Sequence, residues 1–180
     1  MEHRALVAYL QQRGIPAHIA QAKCKEAHYC VNGKPYFAVA FGNVNGGWDL
    51  RNIYFKGCRG RKDISYLPWL REGPSTDCAV FEGFIDYLSA PTLGIIIGCD
   101  VVILNSVVNV NKAMSYIQYY NVINCYLDND NAGRTALSEL AALYGTTVID
   151  RSTLYSGFND LNEYLVNQIS KIIQNDNENK

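Results

Sequence analysis

The sequence predicts an α/β fold in two parts: a small α+β subdomain with an antiparallel meander, then a parallel sheet flanked by helices. Three observations carry this. Asn32-Gly33 and a loop ending in Asn45-Gly46-Gly47 separate β-prone runs, and Asn-Gly between such runs is a strong hairpin signal. Beyond residue 76, short apolar runs alternate with helical patterns, the signature of a parallel sheet. Two of those runs stop at carboxylates followed by glycine and a helix, at Glu82-Gly83 and at Asp128-Asn-Asp130 with Gly133 beyond. In open α/β sheets ligands bind at the carboxyl ends of strands.

The elements follow in order. Residues 2–13 show an apolar stripe of Leu6, Val7 and Leu10 stopped by Gly14, which predicts a helix. Pro16 opens a second helix over Ala17 to about Lys23. Three strands are expected over Ala27–Val31, Tyr36–Phe41 and Trp48–Phe55. The third strand and the loop beyond it carry Arg51, Lys56, Arg59, Arg61 and Lys62, with Gly57 and Gly60 among them. Arginines grip phosphate through paired hydrogen bonds, and glycines let backbone amides approach it. The spacing is not a Walker motif, and a solvated basic loop is the plain alternative. Leu67–Thr76 holds Pro68, Gly73 and Pro74 and predicts the boundary between a subdomain of residues 1–72 and one of residues 73–180. Then come a strand from Asp77 ending at Glu82, a helix over Phe84–Ala90, a strand over Val101–Asn105 and a helix over Lys112–Tyr120. The central strand, Val122–Leu127, leads into Asp128. The longest helical pattern, Asn131–Tyr144, stops at Gly145. Thr147–Ile149 is a further strand, Asp160 a plausible cap of the last helix, and the polar tail from Asn175 is expected to fray.

Composition is ordinary for a globular protein, with 48% hydrophobic and 18% charged residues. The net charge of −1 hides an asymmetry. Residues 1–75 hold 11 Lys/Arg against 5 Asp/Glu, whereas residues 76–180 hold 5 against 12. A basic first part and an acidic second part suggest a polyanion held by one and a metal ion by the other. The six cysteines lack zinc-knuckle spacing and are expected to be reduced residues, mostly in the core. No signal peptide or membrane-spanning run is visible, so a cytoplasmic setting is expected.

Two aspartates one residue apart suit a divalent cation with oxygen ligands. A calcium loop counted from Asp128 would place Asp130 third, Gly133 sixth and Glu139 twelfth. It fails at the fifth position, Ala132, and the β-branched run before it is no helix. A capping and turn role without metal is the other plain reading. Glu82, Asp128 and Asp130, with Asp160 joining them, should leave one edge of one sheet, and Asp86 should lie one helical turn beyond Glu82. Asp86 could equally be a first-turn acid favoured by the helix dipole. Clustered carboxylates are unfavourable unless cations neutralise them, and Mg²⁺ fits such a set.

Phe81-Glu82-Gly83-Phe-Ile-Asp86 followed by Tyr126-Leu-Asp128-Asn-Asp130-Asn-Ala-Gly133-Arg134 resembles the Toprim domain over about residues 76–165. That domain is shared by DnaG-type primases, type IA and type II topoisomerases, OLD-family nucleases and recombination mediators. The sequence looks most like the catalytic core of DnaG-type bacterial primases, especially those of plasmids and mobile elements. Arg13-Gly14-Ile15 and Gly46-Gly47-Trp-Asp-Leu-Arg51 with Lys56 are similar to the first subdomain of such cores. Asp160-Leu-Asn162-Glu163 resembles a later acidic stretch, with asparagine where the second aspartate would stand. The familiar Asp-Gly-Asp is here Asp128-Asn129-Asp130.

The resemblance implies synthesis of short RNA primers on single-stranded DNA from ribonucleoside triphosphates, leaving an RNA–DNA product. Glu82, Asp128 and Asp130 would be catalytic. With Asp160 they would hold Mg²⁺, for which Mn²⁺ substitutes, and no zinc is expected in this chain. Arg51, Lys56, Arg59, Arg61 and Lys62 would contact nucleic acid or nucleotide, and Gly83, Asp86 and Gly133 would support the site. The chain resembles a core without the zinc-binding module and helicase-binding domain of full primases, so such a module and a replicative helicase are expected partners, with no membrane. The alternatives are a Toprim metal-dependent nuclease and a non-catalytic nucleic-acid-binding or recombination-mediator module.

Overall fold

A computed structural model describes residues 1–70, 73 and 75–178 of the chain. The expected boundary between residues 72 and 73 falls among positions 71, 72 and 74, Pro74 included, which lie outside the described residues. Two sheets are present. The first is a four-stranded antiparallel meander in the order β1 (Lys25–Val31), β2 (Lys34–Gly42), β3 (Trp48–Asn52), β4 (Phe55–Arg59). The second is mixed and mostly parallel, in the order β5-β7-β6-β8-β9: β5 (Ser65–Leu67), β6 (Asp77–Phe81), β7 (Asp100–Ile103), β8 (Val122–Tyr126), β9 (Val148–Asp150). The α/β architecture predicted from the sequence is therefore present.

Helices α1 (Arg4–Gln12) and α2 (Ala17–Lys23) precede the meander. Leu6, Tyr9 and Leu10 of α1 are buried in one cluster with Val39 and Phe41 of β2 and Ala79, Phe81, Phe84 and Leu88 of the second half. Side chains alternate across a strand, so β2 sends Val39 and Phe41 to that shared core and Ala38 and Ala40 to the opposite face. On the far side of the second sheet, Cys78, Val80, Val102, Ile123 and Cys125 pack against α4 (Val110–Ile117) and α5 (Asn131–Tyr144). The near side is covered by α3 (Phe84–Ser89), Tyr155 and α6 (Leu161–Glu178). Burial on both faces is why the parallel strands read as continuous apolar runs.

Several elements differ from expectation. The run Trp48–Phe55 is not one strand. It breaks after Asn52, whose side-chain oxygen accepts from the backbone N–H of Tyr54 at 2.8 Å, and Ile53 and Tyr54 stand exposed in the turn. This local side-chain bond competes with the ladder and turns the chain. The meander gains a fourth strand, and Lys56 and Arg59 sit on it rather than in a loop. β5, too short to stand out, pairs antiparallel with β7, with Ser65 opposite Ile103. The expected strand over Val101–Asn105 instead runs Asp100–Ile103, the helix after it spans Val110–Ile117 behind a short 3-10 turn, and α6 continues through Asn175 to Glu178. Cys24, Cys78 and Cys125 are buried, Cys58 and Cys99 half-buried and Cys30 exposed, all as free thiols. Among the described residues no helix is long and apolar enough to cross a membrane.

Candidate active site

The parallel strands order as β7-β6-β8-β9. The chain starts in the middle, passes to β7 on one side and returns to β8 on the other. The order reverses between β6 and β8, and such a switch point is where open α/β sheets form crevices. Glu82 follows β6, and Asp128 lies just beyond the end of β8. The backbone stitches the two ends together: the Glu82 N–H donates to the Tyr126 carbonyl at 3.3 Å, and the Asp128 N–H donates to Glu82 Oε2 at 3.2 Å.

Two further acids close on this point. Asp86, in the first turn of α3, is buried and its Oδ1 accepts from the Asn162 N–H at 3.1 Å. Asp160 precedes α6 and its Oδ1 accepts from the Glu163 N–H at 2.6 Å, while Glu163 accepts from the Asn159 N–H at 2.6 Å. Asp160 is thus a cap, as one reading of the sequence holds, and it also lines the cleft. Glu82, Asp86, Asp128 and Asp160 share that cleft, of about 140 Å³, with Tyr9, Arg13, Arg51, Lys56 and Asn162.

Asp130 has a different environment. It is the N-cap of α5, accepting from the Gly133 N–H at 2.8 Å, and it is exposed and does not line the cleft. Gly133 is there because nothing larger fits: a Cβ at this position would stand 2.2 Å from the Asp128 carbonyl oxygen. Asn129, between the two aspartates, ties the strand end to the segment before α6. Its amide donates to the Phe158 carbonyl at 2.9 Å and the Tyr155 carbonyl at 3.3 Å, and its oxygen accepts from Arg134.

The first half of the chain supplies the positive wall. Gly14 ends α1 with φ of +67°, and a Cβ there would lie 2.6 Å from Ile169 Cδ1 of α6. That close approach carries Arg13 to the cleft, where its guanidinium donates to Asn162 Oδ1 at 3.1 Å and lies over the Tyr9 ring at 5.6 Å. Arg51 lies 5.6 Å from the Phe84 ring centroid. Arg51 and Lys56 also line a neighbouring cavity of about 290 Å³, where Lys62 and the buried Asp49 join them. Arg59 is on the other face of β4, over the Tyr29 ring at 5.2 Å. Arg61 lines neither cavity. The five basic positions therefore divide: Arg51 and Lys56 line the acidic cleft, Lys62 meets them only in the neighbouring cavity, and Arg59 and Arg61 line neither.

Burial raises the pKa of Asp128 to about 8, with Asp86, Glu82 and Asp160 adding repulsion. Glu82 is raised by burial first and then by Asp130 and Asp160. Asp86 is raised by burial and by the Asp160 and Glu82 charges. Burial lowers the pKa of Arg51. None of the five acids forms an ion pair among the described residues, and no three metal-ligating side chains there converge as a complete ligand set. Buried, unpaired carboxylates are costly unless cations neutralise them. Magnesium is commonly held by one or two carboxylates with waters and substrate phosphates completing its shell. Glu82 and Asp128 fit that requirement.

Tyr9, Arg13 and Asn162 are wall residues whose position only the tertiary fold reveals. Asn162 is 1% exposed. Its Nδ2 donates to the Arg13 carbonyl at 2.8 Å and to Ser89 Oγ at 2.9 Å. An aspartate could not make those two donations, which accounts for the asparagine that departs from the expected acidic stretch.

Comparison with known proteins agrees with this architecture. Residues 79–165 match the model of the Toprim-like domain, and residues 1–60 match that of a domain of unknown function. No curated protein matches the chain. The primase fragment of the bacteriophage T7 primase-helicase protein is similar in structure at 22% identity and a TM-score of 0.63, covering 96% of this chain and 73% of that one. A second T7 structure, with primase domains of two gp4 subunits bound to an RNA/DNA hybrid and dTTP, matches at 21% identity and a TM-score of 0.59, covering 92% and 88%. The zinc-binding and RNA polymerase domains of the Aquifex aeolicus primase match at 15% identity and a TM-score of 0.58, covering 97% of this chain and 56% of that one. The likeness to these structures is one of fold: residues 79–165 match the Toprim-like model, and the chain as a whole shares the fold of these primase fragments at low identity.

Proposed function

We propose that this chain is a nucleotidyltransferase core that makes short RNA primers on single-stranded DNA. The observation that carries the reading is the meeting, at the sheet's switch point, of Glu82 and Asp128 with Arg51 and Lys56. An acidic floor facing a basic wall suits a triphosphate and a nucleic-acid backbone together. The primase-like fold supports it, as does a T7 relative bound to an RNA/DNA hybrid.

In this reading Asp128 would hold Mg²⁺, with Glu82 either a second ligand or the base beside it, and Asp130 and Asp160 at the edges of the set. When bound, Mg²⁺ supplies charge neutralisation for the triphosphate and a lower pKa for an attacking 3′-hydroxyl. Arg51 and Lys56 bind and orient the phosphates. Glu82 has a raised pKa, which suits it to take the hydroxyl proton if it is not itself a ligand. A zinc-binding module and a helicase acting beside this core would choose start sites and supply template.

The test is a gel assay with single-stranded DNA, labelled ribonucleotides and Mg²⁺ or Mn²⁺, run beside the Asp128→Ala/Asp130→Ala double variant and a parallel set with end-labelled DNA. Metal-dependent short RNA that vanishes in the variant is the expected result. Shortened DNA with the same dependence would instead establish a nuclease. DNA binding with neither product, even with a zinc module added in trans, would make it a binding module.

A further inference from the structure

Arg51 and Lys56 belong to two cavities. One is the acidic cleft, and the other, of about 290 Å³, is lined by the same two side chains with Asp49, Lys62, Asp63 and Asn105. The second cavity holds an unmet need. Among the described residues four buried side-chain polar atoms lack a hydrogen-bond partner, and two of them, Asp49 Oδ2 and Asn105 Oδ1, belong to residues that line it. Asp49 is 6% exposed and Asn105 8%. A buried acceptor without a donor is costly. Two around one cavity point to a ligand that donates.

The Asn105 amide is fixed in one orientation. Its backbone φ is +60°, a left-handed conformation that asparagine tolerates better than most side chains. Its Nδ2 donates to the Asp63 carbonyl at 2.9 Å and to Ser65 Oγ at 3.0 Å. Ser65 gives its own proton to the Gly42 carbonyl at 2.8 Å, so towards Asn105 it can only accept. The amide oxygen is therefore the atom left over. The other acid of the cavity is already satisfied: Asp63 accepts from the Ile64 N–H at 2.8 Å and from Asn45, and it pairs with Lys112 at 3.8 Å. Asp49 keeps a bare oxygen. Burial pushes its pKa up to about 6, with Arg51 and Lys62 drawing it back, so at neutral pH it is an acceptor only.

The missing donors must come without positive charge, because Arg51, Lys56 and Lys62 already line the cavity and a cation would meet three like charges. A nucleobase supplies neutral N–H groups on a flat body. Guanine alone presents two adjacent donors, N1–H and the N2 amine, on one edge, with O6 beside them as an acceptor for a cation. Adenine and cytosine offer one amine flanked by a ring acceptor, and uracil one N–H between two carbonyls. Each of these would turn an acceptor towards the Asp49 carboxylate.

We infer that this cavity reads the guanine base of a ribonucleoside triphosphate, with Asp49 and Asn105 accepting from the N1–H and N2 amine edge and Lys62 donating to O6. The inference rests on the proposed function for the other end of the ligand, since Arg51 and Lys56, proposed there to bind phosphates, form the wall common to both cavities.

The experiment is equilibrium competition against a fluorescent GTP derivative, followed by anisotropy with the full chain and Mg²⁺. The competitors are GTP, ITP, ATP, CTP and UTP. Inosine differs from guanosine only in lacking the N2 amine, so GTP should bind at least tenfold tighter than ITP, and at least tenfold tighter than ATP. Asp49→Asn exchanges the carboxylate for an amide that can donate. It should lower GTP affinity at least tenfold and favour xanthosine triphosphate, whose C2 carbonyl stands where guanine has its amine. Asp49→Ala should lose the GTP preference without gaining one for xanthosine triphosphate. Thermal melts select variants that fold, and the ratio of GTP to ITP affinity in the parent decides the matter if neither does. Equal binding of GTP and ITP by the parent would overturn the inference, leaving the cavity to water. So would a GTP preference that survives both Asp49 variants. Single-stranded oligonucleotides carrying one guanosine or one inosine test a strand base as the source. A guanosine preference confined to the oligonucleotides and abolished in Asp49→Asn would overturn the assignment to a free nucleotide. Primer synthesis in the same samples separates this site from the cleft reading. Guanine-selective binding with no synthesis by any protein would sustain the base site and remove the primase. Synthesis with GTP and ITP bound alike would keep the primase and remove the base site.

Discussion

Asp128→Asn should make the metal-free protein more stable while destroying its chemistry. The Asp128 pKa stands at about 8 instead of 3.8. The folded chain therefore holds this proton far more tightly than the unfolded chain, and metal-free stability falls as pH rises from about 4 to about 8. The gap, fully expressed, is worth roughly 5–6 kcal/mol at about 1.4 kcal/mol per pH unit. Solvent at the cleft mouth screens the charge, and the neighbouring carboxylates share the penalty, which leaves about 2–3 kcal/mol. Among the described residues nothing donates to the Asp128 carboxylate, so the substitution loses no hydrogen bond there, and Glu82, Asp86 and Asp160 share its cleft as candidate acceptors for an amide. For a chain of this size that gain is about 5–10 °C in melting temperature. The assay is a thermal melt in EDTA at about pH 8.5 and again below about pH 4.5, where the difference should shrink toward zero. Adding Mg²⁺ should raise the melting temperature of the parent chain and leave the variant unmoved. A variant that melts at or below the parent at the higher pH would refute the reasoning.

Three further outcomes are expected. Gly133→Ala, whose Cβ would meet the Asp128 carbonyl oxygen at 2.2 Å, should cost about 2–3 kcal/mol and abolish synthesis; a parent-like urea midpoint would show that the loop is free to move. Asn162→Asp, which removes both donations to Arg13 and Ser89 and adds a charge beside Asp86, should cost about 2–3 kcal/mol. Its penalty should grow with pH, and urea melts at two pH values check the sign. Lys56→Ala should weaken binding of a ribonucleoside triphosphate about tenfold while Arg59→Ala leaves it unchanged, because the two side chains leave opposite faces of β4; equal effects in a nucleotide titration would contradict that division.

What could be read from the sequence was local or strongly periodic. Glu82 and Asp128 stood out because each ends an apolar run that can only be a buried strand. The uneven charge also foretold a real juxtaposition, since Arg13, Arg51 and Lys56 from the basic half face Glu82, Asp86, Asp128 and Asp160 from the acidic half. The break after Asn52 was hidden because Ile53 and Tyr54 are strand-prone types that here sit in a turn, held by one side-chain hydrogen bond. β5 has no signal of its own in the sequence, because its pairing with β7 is a tertiary fact rather than a pattern in three residues. Arg13, Tyr9 and Asn162 reach the cleft only through the packing of α1 on α6, across 149 positions of sequence. The double role of Asp160, cap and cleft wall, was open in the sequence because a capping aspartate and a cleft carboxylate look alike until the neighbouring strand ends are placed.

The central claim is that the Asp128 carboxylate serves chemistry rather than nucleic-acid capture. The most direct test measures both in one sample, following Asp128→Ala by labelled-ribonucleotide incorporation on single-stranded DNA with Mg²⁺ and by affinity for the same template. The account predicts that incorporation disappears while template affinity stays within about threefold, since Arg51 and Lys56, the groups proposed to bind phosphate, are untouched. Incorporation that survives the substitution, or template affinity that collapses with it, would contradict the account.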